Sequence, residues 1–272
     1  MNAQLATTKL EVQMQRLVDK LDVWKAFWSE ARPVTPLILD SLRSYFRPYE
    51  ALHRPTGLAF DLEPRCGDWF TFYECCVRRD YLRHPANISR GDTVLDIGGN
   101  FGAFSIFASH LAGEEGRVFC FEPSPLSFSR IKKNIRKNGL KNINVRNEAV
   151  GGADGTALLA LHEKSALNSI FDNVDGRSGK SMRKVKVDVV SIANVINSID
   201  GVIATVKIDC EGAEYEIMES FPENDFKRIR TFTIETHQIP GKSEKCIISK
   251  RKDNGFDIAP GNPFFAINKN LV

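Results

Sequence analysis

From Gly91 onward the chain alternates short, almost wholly apolar runs with helix-like stretches, and no other feature restricts its fold as tightly. TVLDI precedes a helical stretch from Gly102 to Leu111, and RVFCF precedes another from Pro125 to Asn138. INVRN, KVDVVSI, VIATVKID and TFTIETH follow as further strands, with helices fitting at 192–199 and 213–219. Strands that are apolar on both faces must be covered on both sides, which is the α/β arrangement of a parallel sheet. The expectation for residues 91–272 is a mostly parallel seven-stranded sheet with helices on both faces. DNVDGRSGKS, at 172–181, reads as a polar surface loop.

Residues 1–90 read as an N-terminal helical extension and connector. Leu10, Met14, Leu17, Leu21, Trp24 and Trp28 alternate spacings of four and three, which predicts a helix over the first 30 residues. Its stripe spans under three heptads, so it packs on its own domain or forms a homodimer contact. Pro33 and Pro36 end it. A second helix is expected from Pro36 to Phe46, a short strand at LAFDL, and another helix over 69–83. Trp69, Phe70, Phe72 and Tyr73 read as core or as the wall of a binding site.

Charge and cysteine content exclude several classes. A net charge of +3 over 272 residues is not the basic footprint of a nucleic-acid binder. No run of 18 uncharged apolar residues occurs, so no membrane span is expected. The N-terminus lacks the basic start and apolar run of a secretory signal, and the expected location is the cytoplasm. Six cysteines form no CxxC pair and read as free structural thiols, with Cys120 in the apolar run VFCF suited to burial in a strand.

Within the alternating region, GGNFG joins the first strand to its helix. Gly98, Gly99 and Gly102 let backbone approach a ligand closely, and the helix offers free N–H groups. Asp96 lies two residues before Gly98, where a dinucleotide fold receives a pyrophosphate. A carboxylate there repels that anion and favours the cationic amino and sulfonium groups of S-adenosylmethionine. The spacing Gly98-x-x-x-Gly102 also departs from G-x-G-x-x-G, which argues against a nicotinamide oxidoreductase, the rival enzyme reading. A noncatalytic scaffold that keeps the cofactor fold is the other rival. Glu122 ends the second strand, where an acid accepts hydrogen bonds from ribose hydroxyls. NEAVG, Asn147 to Gly151, follows the third strand where an adenine would lie.

VLDIGGNFGAFSIFAS, FEPSP, NEAVG and VKIDCEGAEYEIMES together resemble the FkbM-type methyltransferases. KIDCEGAE, Lys207 to Glu214, is the most specific piece, and the resemblance spans 90–238. It implies a Rossmann-like class I methyltransferase that moves a methyl group from S-adenosylmethionine to oxygen, on sugars or secondary metabolites. It marks Asp96, Gly98, Asn100, Gly102 and Ser105 as the methionine-side loop, Glu122 as the ribose contact and Ala149 as an adenine neighbour. It places Asp209 and Glu211 at the reacting end. Members of that family commonly carry Ala-Asn where this chain has Gly99-Asn100.

Bottom-up, Asp209 falls at the carboxyl end of VIATVKID, and Glu235 and His237 at the end of TFTIETH, where ligands of open α/β sheets bind. Methyl transfer to a hydroxyl needs positioning and removal of the hydroxyl proton. His237 has a suitable unperturbed pKa, about 6.5. Asp209 is the alternative base, or the group that orients His237. A divalent metal on Asp209 and Glu235 is a third route, but none is expected. Glu214 reads as an acid stabilising a helix N-terminus. Asn168 and Ser169 are candidates for bonding a small-molecule or glycan acceptor.

Overall fold

The computed structural model describes residues 19–82, 88–162, 168–170 and 183–271. Leu10, Met14, Leu17 and the expected loop at 172–181 lie outside them.

The central sheet begins with β4 (Thr93–Ile97), β5 (Arg117–Phe121) and β6 (Ile143–Arg146). It continues with β10 (Ile203–Ile208), β11 (Ile229–Ile234), β12 (Phe256–Ala259) and β13 (Phe264–Asn268). The spatial order is β12-β13-β11-β10-β4-β5-β6. The pairs β11–β10, β10–β4, β4–β5 and β5–β6 are parallel, while β13 runs antiparallel to both its neighbours. Every residue of β4 and of β10 is buried, as expected of strands covered on both faces. The chain order reverses between β4 and β10, which opens a crevice beyond their carboxyl ends. The helices include α4 (Ala103–Ala112), α5 (Pro125–Lys137), α6 (Ile192–Asn197) and α7 (Glu214–Glu219).

One expected member of this sheet lies elsewhere. Arg183–Ser191 (β9) pairs with β7 (Ala149–Gly151) and β8 (Gly155–Leu161) in a separate three-stranded sheet. The physical reason is visible in its sequence: Lys184, Lys186 and Asp188 alternate with valines and stay exposed. A strand with one solvated face has no place inside a doubly covered sheet. The C-terminal hairpin β12–β13 completes the seven strands, burying Phe256, Phe264 and Ala266.

The extension is less helical than expected. A helix runs through 19–30 (α1), followed by β1 (Ala31–Arg32) and α2 (Val34–Ser41). The second helix starts before Pro36 because proline is tolerated in a first turn. β2 (Tyr49–His53) and β3 (Leu58–Leu62) form an antiparallel hairpin, and β1 pairs with β2. YEALH buries alternate residues, a period-two signal inside the stretch read as helix and connector. α3 (Asp68–Phe72) passes into a π-helical turn at Tyr73–Val77 and a 3-10 turn at Asp80–Leu82.

The described part of α1 buries Phe27, while Leu21 and Trp28 of the expected stripe remain exposed. Phe27, Phe60, Phe72 and Tyr73 pack in one core with Val94, Phe101, Phe104, Phe107 and Val118. Phe60 meets Phe72 and Phe101 edge to face. The extension is therefore built onto the outer helices of the sheet domain, each large buried side chain contributing about 1.5–3 kcal/mol.

Candidate active site

The loop after β4 is fixed from two sides. Gly98 and Gly99 N–H groups both donate to the Phe121 carbonyl, at 3.0 and 3.1 Å. Gly98 has φ +89°, and a Cβ on it would lie 1.8 Å from the Asp209 carbonyl oxygen. Only glycine lets the two strand ends approach this closely. Gly102, at φ +94°, caps α4 and donates to the Gly99 carbonyl at 2.8 Å. Asn100 is left-handed at φ 51°, and its N–H donates to Glu122 Oε2 at 2.8 Å.

Asp96 and Ser105 lie beneath this loop, both fully buried. Ser105 Oγ donates to Asp96 Oδ2 at 2.6 Å, and Lys207 Nζ stands 3.2 Å from Asp96 Oδ1. Lys207 also donates to the Gly98 carbonyl at 2.7 Å and stands 3.5 Å from Asp209 Oδ2. Burial pushes the Asp96 pKa up, against the pull of Lys207. Burial opposes the Lys207 charge, but Asp96 and Asp209 outweigh it and hold its pKa above the ordinary value. Asp96 is thus paired with Lys207 and Ser105 beneath the loop.

Glu122 faces the cavity from the end of β5. Its carboxylate accepts from Ser124 N–H and Asn100 N–H, at 2.8 Å each. Burial raises its pKa to about 7 against those two bonds. Asn147 Nδ2 donates to the carbonyls of Glu122 and Pro123, which sets Ala149 on the cavity wall beside it.

At the carboxyl ends of β10 and β11 a second cluster forms. Tyr81 Oη contacts Glu235 Oε2 at 2.6 Å and Asp209 Oδ2 at 3.0 Å. Burial, then the charges of Asp209 and Glu235, raise the Tyr81 pKa well above its ordinary value, so the phenol stays protonated. Burial and the Asp209 charge also raise Glu235. Glu74, from the π-helical turn, joins this wall; burial and then Glu235 and Asp209 push its pKa to about 8.

His237 is clamped beside it. Its Nδ1–H donates to buried Glu214 at 2.7 Å, and Tyr215 Oη donates to its carbonyl at 3.0 Å. Glu214 also accepts from the N–H groups of Gly212 and Cys210, so it does more than stabilise a helix end. Burial works against the imidazolium, but the Glu214 bond and the charges of Asp209, Glu214 and Glu211 raise the His237 pKa to about 10. Glu211 Oε1 stands 3.6 Å from His237 Nε2, on a residue at φ +53°, where a branchless but non-glycine side chain is uncommon. Ser169 Oγ donates to the Glu211 carbonyl at 2.5 Å.

One cavity of about 450 Å³ joins the two regions. Gly98, Asn100, Glu122 and Ala149 line one part, and Asp209, Glu211, Glu235 and His237 another. Trp69 and Phe70 also line it, whereas Phe72 and Tyr73 are core. Asn168 reaches the wall. Among the described residues no group of His, Cys, Asp and Glu is arranged to hold a metal ion, and no helix is long and apolar enough to cross a membrane.

Sequence reasoning gave no role to Lys207, Tyr81 or Glu74. Lys207 did leave a signal, as the one charged residue in an otherwise apolar strand, which demands a buried partner. Tyr81 and Glu74 left none, because the carboxylates that bring them into the site, Asp209 and Glu235, are over a hundred residues away in the chain.

Residues 96–258 match the family model described as the Methyltransferase FkbM domain. The chain is 26% identical over 225 residues to the 31-O-demethyl-FK506 methyltransferase FkbM of Streptomyces tacrolimicus, covering 72% of this chain and 85% of that protein. It is 24% identical over 207 residues to methyltransferase sdnD of Sordaria araneosa, covering 66% and 79%. The class is thereby defined: the protein is an S-adenosylmethionine-dependent methyltransferase on a Rossmann-like α/β fold. The chain belongs to the FkbM methyltransferase family. The site fits that cofactor. Gly98 leaves room for backbone alone beside Asp209, and the buried Glu122 carboxylate on the cavity wall gains from any hydroxyl that donates to it.

Proposed function

We propose that this methyltransferase acts on a hydroxyl of a small polar acceptor, a sugar, glycan or secondary metabolite. When bound, S-adenosylmethionine supplies an electrophilic methyl group carried on a sulfonium. Glu122 would hold the ribose hydroxyls, the Gly98–Gly102 loop the methionine end, and Ala149 the adenine side. The name of the Streptomyces tacrolimicus relative, which specifies an O-demethyl compound, supports an oxygen acceptor.

The observation that carries the reading is the shared proton of Tyr81. One phenolic O–H stands between two carboxylates, so it satisfies Asp209 or Glu235 but not both at full strength. The carboxylate it leaves keeps a lone pair for an acceptor hydroxyl. Asp209, a quarter exposed on its side chain, is the base that takes the hydroxyl proton. Glu235, raised by burial, shares that proton through Tyr81. His237, its pKa raised to about 10 by the Glu214 bond and the surrounding acids, is held by Glu214 with its Nε2 3.6 Å from Glu211, which favours Asp209 over it as the base.

Isothermal titration with S-adenosylhomocysteine tests the cofactor half. Micromolar binding, about −8 kcal/mol, that weakens in Glu122→Ala is expected; its absence removes the reading. In Asp209→Ala, methyl transfer to hydroxylated acceptors should fall about a hundredfold with cofactor affinity retained. Near-wild-type turnover would take Asp209 out of the chemistry.

A further inference from the structure

Arg43 and Arg65 line the same cavity, and nothing above uses them. Both are exposed, and both sit at positive φ, 59° and 65°, a backbone conformation rare for arginine. One buried carboxylate residue holds both loops in that shape. Arg65 N–H donates to Asp40 Oδ1 at 2.7 Å, and Arg43 N–H donates to the Asp40 carbonyl at 2.7 Å. Tyr49 Oη donates to Asp40 Oδ2 at 2.9 Å. Asp40 is fully buried, and its two carboxylate oxygens are engaged by these bonds. The Arg65 guanidinium lies over the Phe46 ring, 5.3 Å from its centroid, which limits its freedom before any ligand arrives. Among the described residues neither guanidinium has a carboxylate partner.

The cavity is therefore polarised. Asp209, Glu235 and Glu74 come from the ends of β10 and β11 and from the π-helical turn, with Asp209 and Glu235 sharing Tyr81. The wall carboxylates Glu122 and Asp40 are already engaged, Glu122 by two backbone N–H groups and Asp40 by Arg65 N–H and Tyr49. The cavity's unpaired cations come from the loops after α2 and β3. Glu148, also on the wall, is answered by Arg146. A molecule that fills both ends must bring a neutral hydroxylated end to the carboxylates and a negative group to the arginines. Guanidinium forks match phosphate and carboxylate geometry better than they match hydroxyls.

We propose that the acceptor of this methyltransferase carries an anionic group, a phosphate or a carboxylate, which Arg43 and Arg65 grip while its hydroxylated end reaches Asp209. The inference rests on the cavity being the acceptor site of the proposed reaction. It assigns the extension a part in choosing the substrate.

The test uses the full chain saturated with S-adenosylhomocysteine and four probes: glucose 6-phosphate, glucuronate, glucose and glucosamine. Titration should show one or both anionic sugars binding at least about tenfold more tightly than glucose, with the preference weakening as salt rises. Whichever of the two binds tighter names the phosphate or the carboxylate as the group. The Arg43→Gln/Arg65→Gln chain should lose the preference, and Arg43→Lys/Arg65→Lys should keep part of it. All three proteins should bind S-adenosylhomocysteine alike, which shows that the fold survives. Equal binding of the four sugars, a preference for glucosamine, no binding of either anion, or a preference that survives in the Gln variant overturns the inference. Failure of the wild-type chain to bind S-adenosylhomocysteine overturns the methyltransferase site itself, a result distinct from all of these.

Discussion

At the scale of single residues, two positions report on the site without any acceptor. Glu122 has a pKa of about 7 because burial disfavours its charge. Ribose hydroxyls donating to it favour the charged form, so cofactor binding lowers that pKa and expels a proton. Titrations with S-adenosylhomocysteine near pH 6.5 in buffers of different ionisation enthalpy should show proton release, and affinity should fall as pH drops below about 7. Glu122→Gln should release no proton; an unchanged release would assign the titration to another group. Gly99 is the second position. A Cβ there would lie 2.4 Å from Cys120 Sγ, so this chain's departure from the Ala-Asn pattern is matched by the sulfur that occupies the space. Gly99→Ala should cost about 1–3 kcal/mol by overpacking, and Cys120→Ala should recover much of it. Additive losses in the double variant would refute that coupling.

At the scale of elements, β1 covers one edge of the extension's hairpin, and side chains secure the other, along β3. Asn138 Oδ1 accepts from Ala59 N–H at 2.8 Å and its Nδ2 donates to the Ala59 carbonyl at 2.7 Å. One turn earlier on α5, Asn134 Oδ1 accepts from Asp61 N–H at 2.9 Å, and its Nδ2 donates to the Phe101 carbonyl at 3.0 Å. The two asparagines complete the free edge of β3 as a neighbouring strand would. Asn134 is fully buried, so Asn134→Ala should cost about 1–3 kcal/mol by stranding polar groups, measured by denaturant unfolding. The loop after β11 obeys a different rule. His237 has a folded pKa raised above its unfolded value, so its pairing stabilises fully below pH 6.5 and the stability is lost as pH rises through about 10. Glu214→Gln should bring the His237 pKa, followed by NMR, back toward the ordinary range and flatten that loss. A His237 still titrating near 10 in that variant would mean that Asp209 and Glu211 suffice.

At the scale of the whole molecule, the extension and the sheet domain share one core, and the cavity needs both. Phe60 packs directly against Phe101 and Phe72, and Tyr81 bridges Asp209 and Glu235. A fragment of residues 91–272 should therefore unfold without a cooperative transition, because it exposes the outer face of α4. A cooperative melt and undiminished S-adenosylhomocysteine binding in that fragment would show that the extension is dispensable to the fold.

What the sequence determined by itself was set by local physics. Apolar runs of strand length punctuated by helix signals dictate a covered parallel sheet. The glycines at 98 and 102 dictate a tight turn at its edge, and strand-end acids at 122, 209 and 235 lie in the crevice that such a sheet opens. Those features depend on residues near one another in the chain. Tertiary structure alone decided the rest. It paired Asp96 with Lys207 under the loop, where neither exposes the charge that its position in the chain implies. It crowded acids around His237, which raise its pKa to about 10. It moved Arg183–Ser191 out of the main sheet and brought Tyr81, Glu74, Arg43 and Arg65 to the cavity from a segment that reads as an appendage. Charges and protons respond to neighbours within a few ångströms, and for these residues the neighbours are set by the fold and not by the order of the chain.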